Sequence, residues 1–225
     1  GIEFKILDID HGVGLIKKTS SEWHISDFSY ELKTAEFDKF VEIYSEYKLT
    51  FWLQSRAETV TAYRARKLKE IGCHRISIGL EHGNNEFRKK VLKKKFDNEQ
   101  MIRASKILAD AGIPLTINNI IGFPDETREL IFDTIELNRK LSYDTTAAFP
   151  YAPFHGTSLH RLCVERGYIT EDFTPGSLNV GASLDMPQLS REEIKGLKRT
   201  FALYTKMPKE DWSRIRRAEK FDEEG

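Results

Sequence analysis

The sequence predicts an α/β fold with a parallel sheet. Short runs rich in β-branched and aromatic residues alternate with stretches of helical spacing, a pattern typical of βα units. The segments KLKEIGCHRISIG and KILADAGIPLTIN repeat one unit of helix, glycine and strand, with Gly72 and Gly112 spaced 40 residues apart. Because glycine readily ends a helix, this spacing indicates a βα repeat.

The helices are predicted from capping residues and apolar stripes. Asp97 followed by Gln100 is typical of a capping box, and so is Ser190 followed by Glu193. Asp125, in the turn GFPDET, is expected to cap the helix that follows it. The predicted helices cover residues 34–47, 57–71, 97–111, 125–141, 158–166 and 190–205.

The number of strands predicts only part of a barrel. Five strands are predicted, at residues 23–28, 49–54, 75–80, 115–121 and 145–151. A closed eight-stranded (β/α) barrel takes roughly 250 residues, so this chain is expected to form a partial, TIM-like (β/α) barrel. We expect an irregular segment at 1–20, the partial barrel at 21–170, and a loop with C-terminal helices at 171–225.

Composition excludes several classes of protein. The chain has 35 basic and 35 acidic side chains, so its bulk charge offers no electrostatic footprint for nucleic acid or an acidic membrane. No apolar run approaches the roughly 18 residues of a membrane span, and no signal-peptide pattern is present. We therefore expect a cytoplasmic protein without a membrane or nucleic-acid partner.

Cysteine and histidine usage argues against a metal site. The only two cysteines, Cys73 and Cys163, are isolated, which excludes a disulfide framework, a zinc ribbon and a cluster held by this chain alone. His155 and His160 lie five positions apart without the further ligands that a zinc site needs. We expect no metal ligands in this chain.

The strand faces predict a ligand site at the carboxyl ends of the strands. In the strand 75–80, the aliphatic side chains alternate with small ones, so Ser77, Gly79 and Glu81 should face away from the helices. The same alternation places Asn118, Ile120 and Gly122 together on the next strand. On the preceding strand it brings Arg56 to the corresponding end. A ligand with a carboxylate and ribose hydroxyls would suit an arginine, a glutamate and an asparagine together.

A plainer interpretation stays open for each of these residues. Glu81 and Arg56 could be rim residues in an ordinary ion pair. Gly122 could serve only the turn before a capped helix. Trp52 could stack on an adenine, although an inward tryptophan on a strand is more often part of the core.

Several phrases resemble the radical S-adenosylmethionine (SAM) superfamily, especially its branch that contains a cobalamin-binding domain. GLEHGNNEFRKKVLKK is similar to a family strand that reads GxESG before a leucine- and lysine-rich helix. INNIIGFPDET is similar to NFIIGLPGET, and PYAPFHGTSL to a last strand with PxPGTxL. The resemblance covers about residues 20–170.

The resemblance implies a six-stranded partial barrel that binds SAM across the strand ends. A reduced 4Fe–4S cluster would cleave SAM to a 5′-deoxyadenosyl radical, and a cobalamin domain could accompany the barrel. Glu81 would lie near the ribose or amino group, Asn118, Ile120 and Gly122 near the ribose and adenine, and Arg56 near the methionine carboxylate. Tyr151 would face the substrate, a small molecule or a peptide, and an electron donor would reduce the cluster.

The sequence departs from the family at the cluster loop. The family motif CxxxCxxC is absent, and the residues before Trp23 do not resemble the first βα unit. We expect a C-terminal portion of a longer enzyme, inactive alone because the cluster ligands lie outside this chain. A first βα unit missing in this way would leave the edge of the strand at 23–28 unpaired. The alternative is a cluster-less, non-catalytic module that binds a nucleotide-like ligand or a protein partner.

Overall fold

The structure is a computed structural model of the 225-residue chain. It describes residues 5–9, 12–18, 23–26, 34–47, 49–176, 182 and 184–220. The first three of these segments are described by their backbone only.

Strands and helices alternate through the middle of the described chain. The strands are β1 (Lys5–Ile9), β2 (Gly12–Lys18), β3 (Trp23–Ser26), β4 (Phe51–Ser55), β5 (Cys73–Glu81), β6 (Leu115–Ile121) and β7 (Thr145–Pro150). The helices are α1 (Thr34–Ser45), α2 (Ala62–Glu70), α3 (Asn85–Lys90), α4 (Asn98–Asp110), α5 (Arg128–Asn138), α6 (Ser158–Glu165), α7 (Arg191–Lys206) and α8 (Trp212–Ala218). Within the described residues the seven strands hydrogen-bond in the order of the sequence.

The sheet is parallel where the sequence predicts βα units. β3 pairs in parallel with β4, and β4 in parallel with β5, whereas β1, β2 and β3 pair antiparallel. The predicted capping boxes are confirmed at Asp97 with Gln100 and at Ser190 with Glu193. The predicted helix stops also hold, since Gly72 has a φ of +99°.

By contacts the chain divides into two compact units. The first comprises residues 1–80, 96–117 and 141–145, and the second residues 81–95, 118–140 and 146–225. In the first unit, Phe40 and Tyr44 of α1 pack their rings against Phe51 of β4. In the second, fifteen buried residues form one core to which β6, α5 and α7 contribute.

Two sequence predictions need correction here. Residues 1–20, predicted to be irregular, contain the antiparallel pair β1 and β2, because isoleucine, leucine and valine favour strands although Gly12 and Gly14 interrupt their alternation. β2 also pairs with β3, with Leu15 opposite Ser26, so the edge that was predicted to be unpaired is covered. The three-part division of the chain stays a prediction.

A further correction concerns the start of α5. Asp125 does not cap this helix, since its backbone has a φ of +62°. Thr127 is the N-cap residue, and its side chain accepts the N–H of Leu130. Asp125 lies two positions before the N-cap, and its carboxylate binds Arg166 and Tyr168 instead.

Candidate functional site

The faces of β5 are as the alternation predicts. Ile76, Ile78 and Leu80 are buried, and Ile76 lines a small cavity with Leu68 of α2 and Leu108 of α4. On the other face, the Ser77 hydroxyl accepts a hydrogen bond from Trp52 Nε1 at 2.9 Å. The aliphatic face therefore packs on the helices, and the alternation places Glu81 on the opposite face. Trp52 is held by this bond in the first unit.

A buried asparagine fixes the faces of β6. Asn119 is fully buried, and its side-chain N–H groups bind Thr146 Oγ1 and the Ala147 carbonyl, each at 2.9 Å. Its Oδ1 accepts the side-chain N–H of Asn138 of α5 at 2.8 Å. Since Asn119 faces the helix, its neighbours Asn118 and Ile120 face away and are half-buried, as predicted.

Glu81 has an unusual backbone at the end of β5. Its φ is +65°, in the left-handed region that non-glycine residues seldom adopt. Its carboxylate lies 3.4 Å from Lys94 Nζ, and the two side chains are 21% and 31% exposed. Strained backbone conformations of this kind cluster at ligand sites.

Arg56 and Glu81 each form an ion pair within their own unit. Arg56 Nη2 contacts Glu58 Oε1 at 2.7 Å in the first unit, and Glu81 contacts Lys94 in the second. Each of the two residues thus forms an ion pair, as the plainer interpretation expects, but the partners are Glu58 and Lys94. The predicted approach of Arg56 to a ligand carboxylate stays a prediction.

Gly122 serves the turn after β6. Its φ is +79°, and an added Cβ would lie 2.9 Å from Ile194 Cδ1 of α7. Its N–H donates to Glu126 Oε2 at 2.5 Å, so this donor is already used within the turn. Gly122 can therefore shape a ligand site through its conformation rather than through its amide.

Tyr151 lies in the core of the second unit. It is 8% exposed, and its ring centroid is 5.1 Å from that of Phe123. Burial raises its pKa to about 12. A side chain packed in this way offers little surface to a substrate, so its predicted substrate-facing role stays a prediction.

Sequence reasoning missed a buried histidine–glutamate pair next to Glu81. His82 and Glu126 are both fully buried, with His82 Nε2 and Glu126 Oε1 2.8 Å apart. Arg88 is fully buried as well and donates from Nη1 to the His82 carbonyl. The sequence does contain a signal for this pair. Strand alternation places the residue after Glu81 on the helix-facing side, where a buried histidine needs a polar partner.

The cysteines are not placed to hold a metal. Cys73 and Cys163 are both buried, one in each unit. Burial raises the pKa of the Cys73 thiol to about 12 and that of Cys163 to about 11. Among the described residues, no three histidine, cysteine or acidic side chains converge as metal ligands.

None of the described helices has the length and apolar character needed to cross a membrane.

Comparison with known proteins gives a consistent family. The family model of the radical SAM superfamily matches residues 26–137. An uncharacterised methyltransferase of Pyrococcus horikoshii is 27% identical over 167 residues, which cover 72% of this chain and 34% of that protein. A tRNA-2-methylthio-N(6)-dimethylallyladenosine synthase of Halalkalibacterium halodurans is 34% identical over 90 residues, 39% of this chain and 16% of that protein.

Solved structures agree in fold. Coproporphyrinogen III oxidase of Escherichia coli, a radical SAM enzyme, matches 83% of this chain and 38% of its own, with a TM-score of 0.53 and 16% identity. A radical SAM methyltransferase of Kitasatospora setae, solved with cobalamin and a 4Fe–4S cluster, matches 56% of this chain and 27% of its own, with a TM-score of 0.50 and 18% identity. The predicted fold class, an α/β partial (β/α) barrel of this type, is confirmed.

The superfamily uses SAM and a 4Fe–4S cluster. The residues of this chain do not fit the cluster. Three thiolates hold such a cluster, whereas this chain has two cysteines, both buried and protonated at neutral pH. The chain spans about a third of the first relative above and about a sixth of the second. The comparisons favour an enzyme of this kind over a non-catalytic module, and the family model that matches this chain, over residues 26–137, is that of the radical SAM superfamily.

Proposed function

We propose that this chain is the SAM-binding part of a radical SAM enzyme and that Glu81 is its principal contact with the nucleoside. The observation that supports this proposal most directly is the left-handed backbone and partly exposed side chain of Glu81 at the carboxyl end of β5. In (β/α) folds ligands bind at this end of the strands. The position of Glu81 in the phrase GLEHG, which resembles the family's GxESG, supports the same assignment.

The neighbouring side chains suit the parts of the nucleoside. A carboxylate at Glu81 accepts hydrogen bonds from ribose hydroxyls, while the amide of Asn118 can both donate and accept. Ile120 offers an apolar surface to the adenine, and Gly122 lets the chain turn away from it. SAM supplies the 5′-deoxyadenosyl group with which the superfamily abstracts hydrogen from substrates.

In this proposal the cluster cysteines lie in a part of the protein outside these 225 residues, so the chain alone is inactive. The electron donor, and the cobalamin of the branch that the sequence resembles, would also act through that part. The Kitasatospora methyltransferase of similar fold was solved with cobalamin and a 4Fe–4S cluster, which supports this branch. The substrate is proposed to be a small molecule or a peptide.

The first prediction concerns Glu81. A hydrogen bond to a charged acceptor contributes about 1.5–3 kcal/mol, so Glu81→Ala should weaken binding of 5′-methylthioadenosine roughly 10- to 150-fold. Glu81→Gln, which keeps one acceptor, should lose less. Isothermal titration calorimetry on the 225-residue chain measures both, and S-adenosylhomocysteine serves as a second ligand.

Glu86 supplies the matched control. Its side chain is 69% exposed and pairs with Lys90 on α3, so Glu86→Ala should leave the affinity unchanged. Equal affinities for the parent chain and Glu81→Ala would contradict the assignment of Glu81. A parent chain that binds neither ligand would contradict the proposed function as a whole.

A further inference from the structure

We propose that His82 and Glu126 are positioning residues that hold the turns after β5 and β6 in the geometry needed for nucleoside binding. This inference rests on the proposed function. Glu81 directly precedes His82, and Gly122 lies within the turn that Glu126 closes. The pair thus connects the two strand ends that carry the proposed contacts.

Glu126 organises the turn after β6 from within. One of its carboxylate oxygens, Oε2, accepts the backbone N–H groups of Gly122 at 2.5 Å and Phe123 at 2.9 Å. The side chain has no exposure to solvent. A buried carboxylate needs such partners, and these charge-assisted hydrogen bonds in turn fix the two peptide groups.

His82 meets the second oxygen of the same carboxylate. Its Nε2 lies 2.8 Å from Glu126 Oε1, and its Nδ1 accepts the N–H of Asn84 at 3.0 Å. Because Nδ1 is an acceptor, the ring proton belongs on Nε2, facing the carboxylate. The contact is close without the alignment of a hydrogen bond, and the two atoms have no other hydrogen-bond partner among the described residues.

Two further contacts hold His82, one at its imidazole ring and one at its backbone carbonyl. The imidazole stacks on Phe87, with ring centroids 4.2 Å apart and planes 21° apart. The His82 carbonyl accepts Nη1 of the buried Arg88, whose Nη2 binds Asn85 Oδ1 at 2.6 Å. A left-handed residue such as Glu81 persists only where its surroundings enforce it, and these contacts enforce it from the adjacent residue.

The pair is a feature of this chain rather than of the family phrase. The phrase GxESG carries serine where this sequence has His82. A serine side chain is too short to replace the imidazole contact with Glu126. His82 therefore links the turn after β5 to the turn after β6, although the family phrase does not require a histidine at this position.

The test compares four variants of the 225-residue chain. His82→Ala should weaken 5′-methylthioadenosine binding about 10-fold, because it leaves a buried carboxylate oxygen of Glu126 without its close polar neighbour. His82→Gln places an amide N–H near the position of Nε2 and should restore most of that affinity. Glu126→Gln keeps the shape and removes the charge, and it should weaken binding as His82→Ala does. Ser105→Ala removes a buried polar side chain in the other unit and should lower the melting temperature without changing affinity.

Nuclear magnetic resonance supplies a readout that general loss of stability does not move. The amide protons of Gly122 and Phe123 should shift upfield in Glu126→Gln, because their charged acceptor is lost, and should keep their positions in Ser105→Ala. The proposal is overturned if His82→Ala binds as well as the parent, or if His82→Gln is as weak as His82→Ala.

Failure of the proposed function is distinguishable from failure of this inference. A parent chain that does not bind the nucleoside defeats both. A parent that binds it and loses affinity in Glu81→Ala, but not in His82→Ala or Glu126→Gln, defeats only the inference. If His82→Ala does not fold, His82→Gln and Glu126→Gln decide the matter, and equal affinity of Glu126→Gln and the parent overturns the inference.

Discussion

Asp125 combines a strained backbone conformation with side-chain hydrogen bonds. Its φ of +62° is one that an L-residue adopts at a cost. Its carboxylate is held by Arg166 at 3.0 Å and by the Tyr168 hydroxyl at 2.9 Å. The family phrase GLPGET has glycine at the corresponding place, where the same backbone costs nothing.

A comparison of two substitutions isolates the backbone cost at Asp125. Asp125→Gly and Asp125→Ala both remove the carboxylate, but only alanine keeps a Cβ at this φ. The left-handed conformation costs an L-residue roughly 1–2 kcal/mol, a cost that glycine does not have. Glycine also makes the unfolded chain more flexible, which offsets part of this advantage. The glycine variant should therefore be more stable than the alanine variant by about 1 kcal/mol. Urea denaturation measures the difference, and an alanine variant of equal or greater stability would contradict it.

At this scale the sequence predicted part of the site. Alternation along a strand was enough to assign the faces of Ser77, Asn118 and Ile120, because the side-chain period of a strand is fixed. It could not show that His82 meets Glu126, since that contact depends on how two turns far apart in sequence come together. Nor could it show that Lys94 reaches Glu81.

At the scale of elements, the turn after β5 packs closely on α5. A Cβ added to Gly83 would lie 2.4 Å from the backbone of Asp133 and Thr134. The Gly83 N–H donates to Thr134 Oγ1 at 2.8 Å, which binds the turn to the helix. The final glycine of the phrase GLEHG is therefore required by the approach of two backbones.

Gly83→Ala should be strongly destabilising. Backbone atoms cannot move aside as a flexible side chain can, so the helix must shift, and overpacking of this kind costs about 1–3 kcal/mol. Gly176→Ala is the control, because nothing lies within 4 Å of an added Cβ at that position. Thermal unfolding of the two variants should give a lower melting temperature for Gly83→Ala alone, and equal temperatures would refute the close approach.

Sequence signals differ in strength among the elements. The helices with capping boxes, α4 and α7, begin within a residue or two of their predicted starts. The helix α3 was expected only from the resemblance, which places a helix after the phrase GLEHG. The helix α8 was missed, because seven residues hold too few turns to display an apolar period. The strand β2 was missed because Gly12 and Gly14 interrupt its alternation, and β1 because it has only five residues.

At the scale of the whole molecule, the two cysteines are too few to hold an iron–sulfur cluster. Anaerobic incubation with iron and sulfide should leave the 225-residue chain colourless, since two buried thiols cannot supply three thiolates. A chain that retained four irons per molecule would contradict the assignment of the cluster ligands to another part of the protein. Thiol reagents should label Cys73 and Cys163 only after denaturation.

The same thiols link stability to alkaline pH. The pKa of Cys73 rises from 9.0 to about 12 on folding, so the folded chain keeps a proton that the unfolded chain releases. The resulting contribution to stability is complete below pH 9 and is lost as the pH rises from there toward 12.

The two asparagines of β6 bear on the register of the strand. Asn118 and Asn119 are adjacent and chemically identical. A shift of β6 by one residue would therefore put Asn118 in the place of Asn119, with the same side chain there as before. Such a slip would turn every side chain of the strand to the opposite face. The hydrogen bonds alone do not prevent it, since Asn118 could bind Thr146 and Asn138 in the same way. The buried aliphatic side chains prevent it, because a slip would turn Leu115, Ile117 and Ile121 out of the core. Their burial therefore decides which asparagine lies inside, and Asn118 is the one left for the ligand of the proposed function.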